Sequence, residues 1–334
     1  MKKEPNLKEV AKRANVSVAT VSRAINYPKK VDPSTLSRIN KIIREVNYKP
    51  NRVAQRLRVK DGHRKIIGLL VPDIQNPFYV DVVRGVEDYA YSRNYALLMS
   101  NFAQSKDKEK MYLDIMLSES VDGLIVAPYD EYDKEVISLV EAGIPIVCVD
   151  RGLADIPVDV ILVDNEKGAY DAVSLLIKKG HKRIAYVGGL PSIPTTQHRK
   201  DGYIKALRKN NISIDENLIK FGDSKSESGK KITGELLKMK NPPTAFFAGN
   251  NLITLGALET IHTMKLRIPE DVAIVGFDDM PWAISLNPPL TAVKQPGYDI
   301  GKQAAGLLYQ RIMEPDKLTA KTILNTVLVI RSSC

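Results

Sequence analysis

Cysteine is almost missing from this chain: Cys148 sits in an apolar run and Cys334 stands at the end of 334 residues. Two thiols so placed build no disulfide framework and suit a reducing compartment, and neither reads as catalytic. Histidine is scarce as well, since His63, His181, His198 and His262 form no i, i+4 pair and have no cysteine partner, so no metal site is expected. No stretch approaches the roughly 18 apolar residues of a membrane helix, and the start, MKKEPNLKEV, lacks an apolar signal core, so the expected location is the cytoplasm, in association with the nucleoid. Missing too are G-x-G-x-x-G and G-x-S-x-G. The SGKK at Ser228–Lys231 has Ser224 where a phosphate loop needs glycine and Lys231 where it needs Ser or Thr, and it reads as the start of a helix. Neither an enzyme nor a cofactor is expected.

What the chain does have is an uneven charge. The formal net charge is +10, yet residues 1–60 hold 16 basic residues against 4 acidic ones, leaving 33 against 35 in the other 274. A positive surplus confined to one end points to a polyanion. In that end, NLKEVAKRANVSVATVSRAIN reads as two short helices joined by a tight turn. Asn6 and Glu9 make a capping box, and Leu7, Val10, Ala11 and Ala14 fall on one face. Asn15-Val16-Ser17 breaks the pattern, Ser17 caps a second helix over Val18–Asn26, and Val21 and Ile25 form its buried side. The residues set to face DNA are Ser17, Val18, Ala19, Thr20, Ser22, Arg23 and Asn26: Arg reads the two acceptors of guanine, small apolar groups meet a thymine methyl and hydroxyls meet phosphate. An ordinary helical hairpin is the plain alternative. A third helix starts at Asp32-Pro33 and runs to Val46, with Leu36, Ile39, Ile43 and Val46 facing inward. Lys2, Lys3, Lys29, Lys30, Lys41 and Lys49 are of the kind that touch phosphate without reading sequence.

KEVAKRANVSVATVSRAIN followed by VDPSTLSRINKIIREVNYKPNRVAQRLR resembles the headpiece and hinge of the lactose/galactose repressor (LacI/GalR) family. The resemblance implies that Asn51–Arg58 is a hinge helix, capped by Asn51, that orders when two copies meet on the operator, with Leu57 wedged into the minor groove. The other reading is a basic linker whose leucine packs on the core. It implies a dimer, because no leucine-heptad tail follows the last strand.

From Lys65 onward short apolar strands alternate with amphipathic helices. Ile66–Val71, Ala96–Met99, Gly123–Ala127 and Ile144–Val149 read as one set of buried parallel strands, and Arg183–Val187, Thr244–Ala248 and Val272–Phe277 as a second. The helices are expected near 78–93, 106–119, 133–142, 167–179, 200–210, 229–239, 253–264 and 298–313. The fold class is therefore α/β: two doubly wound parallel-sheet subdomains behind a small all-α headpiece. Polar groups that suit a sugar stand at or beyond the strand ends: Asn76, Phe78, Tyr79, Asp150, Arg151, Arg199, Asn250, Asp278 and Gln295. Carboxylates and amides accept from hydroxyls, arginine donates, and aromatic rings meet C–H faces. Each of these alone is also an ordinary turn or cap residue. The family resemblance, which reaches the periplasmic sugar-binding proteins, implies that these positions line the effector pocket and favours a pentose or similar aldose. Trp282 reads equally as a pocket cover or a packing residue.

The resemblance also implies three passages between the subdomains, near Asp164, Thr291–Lys294 and Ile323. The expected domains are a headpiece over 1–50, a hinge over 51–62 and an effector core over 63–334. Within the core, 63–163 plus 293–322 form one half and 164–292 plus 323–334 the other. The reading is a dimeric regulator that represses carbohydrate-utilisation genes and leaves its pseudo-palindromic operator when it binds a small sugar. A purine-type corepressor or phosphoprotein-dependent regulator is the alternative. A transport-type sugar-binding protein, from another class, is opposed by the basic first 60 residues.

Overall fold

The computed structural model describes residues 6–26, 28–46, 48 and 65–334. The chain divides into two compact units, Met1–Arg64 and Lys65–Cys334. Among the described residues no helix is long and apolar enough to cross a membrane.

The first unit contains α1 (Leu7–Ala14), α2 (Val18–Asn26) and α3 (Pro33–Glu45). Local chemistry sets every boundary. The Asn6 side chain accepts from the Glu9 N–H at 3.0 Å, and Asn15 ends α1 at φ 51°, a left-handed conformation that asparagine tolerates. Ser17 Oγ accepts from the Thr20 N–H at 3.0 Å and so caps α2. Asp32 accepts from the N–H groups of Ser34 and Thr35, both at 3.1 Å, ahead of a proline that starts α3. Val10, Ala14, Val21, Ala24, Ile39 and Ile42 fill the space between the helices. Ile42 is a correction to the expected α3 stripe. It is buried while Ile43 is half-buried, because the i, i+3 pair Ile39 and Ile42 faces α1 and α2 more squarely. The hinge expected over 51–58, with Asn51 and Leu57, lies outside the described residues.

The second unit is built from β1 (Ile66–Val71), β2 (Ala96–Asn101), β3 (Gly123–Val126), β4 (Ile146–Val149), β5 (Asp159–Val163), β6 (Ile184–Gly188), β7 (Ile219–Phe221), β8 (Ala245–Ala248), β9 (Ala273–Phe277), β10 (Thr291–Lys294), β11 (Lys321–Leu324) and β12 (Val327–Val329). Between them lie α4 (Pro77–Ser92), α5 (Lys106–Ser118), α6 (Lys134–Glu141), α7 (Asn165–Lys178), α8 (Pro194–Lys209), α9 (Ser226–Leu237), α10 (Asn251–Thr263) and α11 (Gly297–Met313). The strands form two six-stranded sheets, ordered β11-β5-β4-β3-β1-β2 and β12-β10-β9-β8-β6-β7. All neighbours run parallel except β12 against β10.

Each sheet is covered on both faces, which is why its central strands are apolar throughout. On the first sheet Val82 and Val86 of α4 and Ile300 and Leu308 of α11 cover one side, and Leu113, Met116 and Val136 cover the other. On the second, Val173, Leu176 and Tyr203 face Tyr186 and Phe247, while Ile232, Leu236, Ile253 and Ile261 face Phe246 and Ile274.

The chain crosses between the halves at Asp164, between Lys294 and Gly297, and between Leu324 and Val327. The last two lie later than expected, because Thr291–Lys294 still pairs in the second sheet and Lys321–Leu324 in the first. Five of the twelve described strands were not foreseen: β10, β11 and β12 lie at or beyond the last two expected passages, and β5 and β7 carry little signal. β5 follows β4 through a loop with no crossover helix, so the strand–helix alternation hides it, and β7 has only three residues. α8 starts six residues before the expected Lys200, at Pro194, with no side-chain cap to announce it.

Helices α4 and α11 meet at glycine. A Cβ on Gly85 would lie 2.0 Å from the Tyr298 carbonyl oxygen, and one on Gly301 would lie 2.0 Å from that of Val82. Neither oxygen can yield without moving a helix. Gly301→Ala is expected to destabilise the second unit by about 1–3 kcal/mol through overpacking. Urea unfolding should show a lower midpoint at an unchanged slope; an unchanged midpoint would mean that α11 shifts freely along α4.

Candidate functional site

Polar residues that follow the C-terminal ends of parallel strands in both sheets meet in the cleft between the two halves, where ligands of open α/β sheets bind. Asp150 follows β4 at φ 66° and Asp278 follows β9 at φ 75°, so the two halves offer equivalent aspartates in left-handed turns. Both are buried. Asp150 Oδ2 accepts from the Tyr79 hydroxyl at 2.9 Å and from Arg151 Nε at 3.2 Å. Burial and the Asp150 charge push the Tyr79 phenol far above its ordinary range, so it serves as a neutral donor. Arg151 also donates to the Tyr79 oxygen at 3.3 Å and to the Tyr129 carbonyl at 3.1 Å.

In the second half, burial raises the Asp278 pKa, while Arg199 and a bond from Gln295 hold it back. Gln295 Nε2 donates to Asp278 Oδ1 at 2.5 Å. Arg199 donates to Asn165 Oδ1 at 2.8 Å and to the Gly249 carbonyl at 2.6 Å, and its guanidinium lies 3.7 Å from the Phe277 ring centre. Arg199 therefore comes from the second turn of α8, not from a strand-end loop.

Asn76, Phe78, Tyr79, Asp150, Arg151, Arg199, Asn250, Asp278 and Gln295 all line one cavity. Asn76 and Asn250 also act as caps: Asn76 Oδ1 accepts from the Phe78 N–H at 2.9 Å and Asn250 Oδ1 from the Ile253 N–H at 2.7 Å. Trp282 is not part of the lining and is 37% exposed. Sequence reasoning missed Gln104, Thr195, Thr196 and Ser224, which share the wall, and Asn251, which bridges the halves through a 2.8 Å bond from its Nδ2 to Asn76 Oδ1. Among the described residues, two acceptors of the lining, Gln104 Oε1 and Gln295 Oε1, have no donor, and neither does Asn251 Oδ1 beside it. The cavity holds about 50 Å³ in this arrangement of the halves.

Behind Arg151 lies an acid pair that sequence reasoning also missed. The Tyr129 N–H donates to Glu109 Oε1 and to Asp133 Oδ2, both at 3.0 Å, and the two carboxyls are themselves hydrogen-bonded. Burial first, and then the Asp133 charge, push Glu109 up to about 9.

On the headpiece, Ser17, Val18, Ala19 and Arg23 are exposed, and Thr20 and Ser22 are half-buried. Ser17 and Thr20 share a 2.8 Å hydroxyl bond. Asn26 closes α2, and its side chain lies outside the described residues.

A two-lobed α/β core of this kind, behind a helix-turn-helix, defines a ligand-responsive DNA-binding regulator. Residues 6–51 match the bacterial regulatory proteins of the lacI family, and residues 173–334 match a periplasmic binding protein-like domain. The chain is 34% identical over 331 residues to the HTH-type transcriptional repressor CytR of Escherichia coli K12, covering 98% of this chain and 95% of that one. Among solved structures it resembles the Lac repressor dimer bound to operator and the anti-inducer ONPF (28% identity, TM-score 0.86, 99% of each chain). It also resembles the transcriptional regulator CelR in complex with cellobiose (31% identity, TM-score 0.76, 99% of this chain and 100% of that one). The chain belongs to the LacI family and is a DNA-binding transcriptional regulator.

The acid pair generates a pH test. Glu109 keeps its proton up to about 9 in the folded chain, against 4.5 for the free group. Its stabilising contribution is thus whole below about 4.5 and is lost as pH rises toward 9. Glu109→Gln cannot titrate, so its stability relative to the parent should climb between these values, by at most about 1.4 kcal/mol per pH unit. Urea unfolding at successive pH values measures this, and a pH-independent difference would show that Glu109 is already ionised.

Proposed function

We propose that the chain acts as a homodimeric repressor of carbohydrate-utilisation genes, which binds a pseudo-palindromic operator and releases it when a small sugar enters the cleft. Ser17, Val18, Ala19, Thr20, Ser22, Arg23 and Asn26 are assigned to the major groove, and Asn51 and Leu57 to the hinge over the central step. The exposed Val18 and Arg23 and the capped α2 support the first assignment. The operator-bound Lac repressor dimer supports the symmetry, since two headpieces read two half-sites.

The observation that carries the effector reading is the set of three buried acceptors without donors at the cleft. Buried oxygens of this kind require a hydrogen-bond donor, and adjacent sugar hydroxyls supply several at once. Asp150, Asp278 and Asn250 add further acceptors, Arg151 and Arg199 donate, and Phe78 and Tyr79 offer aromatic surface. The Asp150-Arg151 pair with Asn76-Pro77-Phe78 favours a pentose or similar aldose. The cellobiose complex of a relative supports a carbohydrate more broadly.

Arg23→Ala is expected to weaken operator binding by about 1–3 kcal/mol and to relax the preference at one base pair per half-site. Titrating operator and random duplexes measures it, and equal losses on both would remove Arg23 from base reading. Asp278→Ala should leave operator binding without sugar near the parent value, while sugar affinity falls by about tenfold or more for the loss of about 1–3 kcal/mol. Calorimetry with pentoses and hexoses, with and without operator, reads this. By linkage, sugar must bind the operator complex more weakly than the free protein; tighter binding there would make the ligand a corepressor.

A further inference from the structure

The buried acid pair stands one residue away from the effector cleft. Glu109, in the first turn of α5, and Asp133, the N-cap of α6, are 1% and 4% exposed, and neither they nor Tyr129 line the cleft cavity. Both carboxyls converge on one donor, the Tyr129 N–H, each at 3.0 Å. Two carboxylates brought together out of water cannot both stay ionised, so the pair keeps a proton. The donors decide where it sits. Asp133 Oδ1 also accepts from the N–H groups of Glu135 and Val136, at 3.1 and 3.2 Å, whereas among the described residues Glu109 accepts from the Tyr129 N–H alone. Three donors hold the charge on Asp133, and Glu109 carries the hydrogen that joins the two.

The surroundings keep that proton and tie it to the cleft. On α5 itself, Lys106 pairs with Asp130 at 3.1 Å and Lys110 with Glu135 at 2.9 Å, so both lysines are committed away from the acids. From β4, Cys148 feels the Asp133 charge, and burial pushes its thiol up to about 12, which keeps it neutral. The Arg151 guanidinium is the cation that draws Glu109 down, against burial and the Asp133 charge that push it up to about 9. Arg151 is also where the pair reaches the ligand site. The residue that gives its N–H to the acids gives its carbonyl to Arg151 Nη1 at 3.1 Å, and Arg151 lines the cavity beside Asp150. A glutamine at this position would make the same two bonds at every pH. A glutamic acid makes them only while protonated; once ionised it repels Asp133 across the shared N–H and competes with Asp150 for the guanidinium.

We propose that Glu109 is a positioning residue of the effector site: the one proton it shares with Asp133 keeps Arg151 aimed into the cleft, so that effector affinity falls when that proton is lost. This rests on the cleft being the effector site and not on which sugar fills it. It makes effector response sensitive to alkaline pH through a group that no ligand touches.

Two readouts on the full chain test this, and the first needs no ligand. With isotope-labelled arginine, the Arg151 Nε–H signal, identified by its loss in Arg151→Lys, should shift as pH rises from 7 to about 10 in the parent and stay still in Glu109→Gln. If Glu109→Gln does not fold, Asp133→Asn serves: it removes the neighbouring charge, so the same shift should occur at lower pH. An Arg151 signal indifferent to pH in the parent, or one that moves equally in Glu109→Gln, overturns the proposal. In calorimetry, ribose, which does not titrate over this range, should bind the parent up to about tenfold more weakly at pH 10 than at pH 7, with a flat profile for Glu109→Gln. Equal ribose affinity at both pH values in the parent also overturns it. Ribose that binds at neither pH counts against the sugar reading alone, and the Arg151 signal then decides.

Discussion

Two carboxylates taken out of water set the terms for the rest of the core. Asp150 and Asp278 stand at equivalent strand ends, each 7% exposed or less, and a buried charge is tolerated only when it is paired and hydrogen-bonded. The surroundings can be traced outward from that demand. Asp150 requires Arg151 and Tyr79, Arg151 is aimed by the Tyr129 carbonyl, and the Tyr129 turn is held by Glu109 and Asp133. Asp278 requires Gln295 and the nearby charge of Arg199, which is fixed in turn by Asn165 at the start of α7 and by the Gly249 carbonyl at the end of β8. Each chain of contacts passes through backbone groups, the Tyr129 carbonyl on one side and the Gly249 carbonyl on the other, which fix the two arginines.

Much of this was legible in the sequence because short-range rules govern it. Caps at Asn6, Ser17 and Asp32 mark the headpiece helices, and runs such as IIGLLV can only be strands covered on both faces. Asp150, Asn250 and Asp278 could be named because polar residues after strand ends locate the mouth of an α/β sheet, whereas Arg199, on the second turn of α8, was placed by the family resemblance. What escaped has a physical cause in each case. Glu109 lies among lysines and aspartates in KDKEKMYLDIM and reads as one more solvated charge, yet it is 1% exposed. Gln104 and Asn251 carry no motif, and their value appears only when two separate halves are brought together. The start of α8 was placed late because nothing but Pro194 signals it.

The two readings of asparagine at the strand ends are compatible. Asn76 and Asn250 cap α4 and α10, as such residues do in many α/β proteins, and their side chains also form the wall of the cavity. A cap fixes the amide to within a narrow range of angles, so a residue held by helix geometry also presents its side chain to the cavity at no further cost in side-chain freedom.

The bond from Asn251 to Asn76 is a direct side-chain tie between the halves at the cleft. A neutral hydrogen bond of this sort is worth roughly 0.5–1.5 kcal/mol net, so on its own it shifts the balance between closed and parted halves by only about two- to twelvefold. This bond therefore holds the two halves together only lightly at this point. The tie is better suited to setting the resting proportion of the two arrangements than to locking one of them. A chain with a different pair at these two positions could answer the same ligand at a different concentration without any change in the residues that touch it.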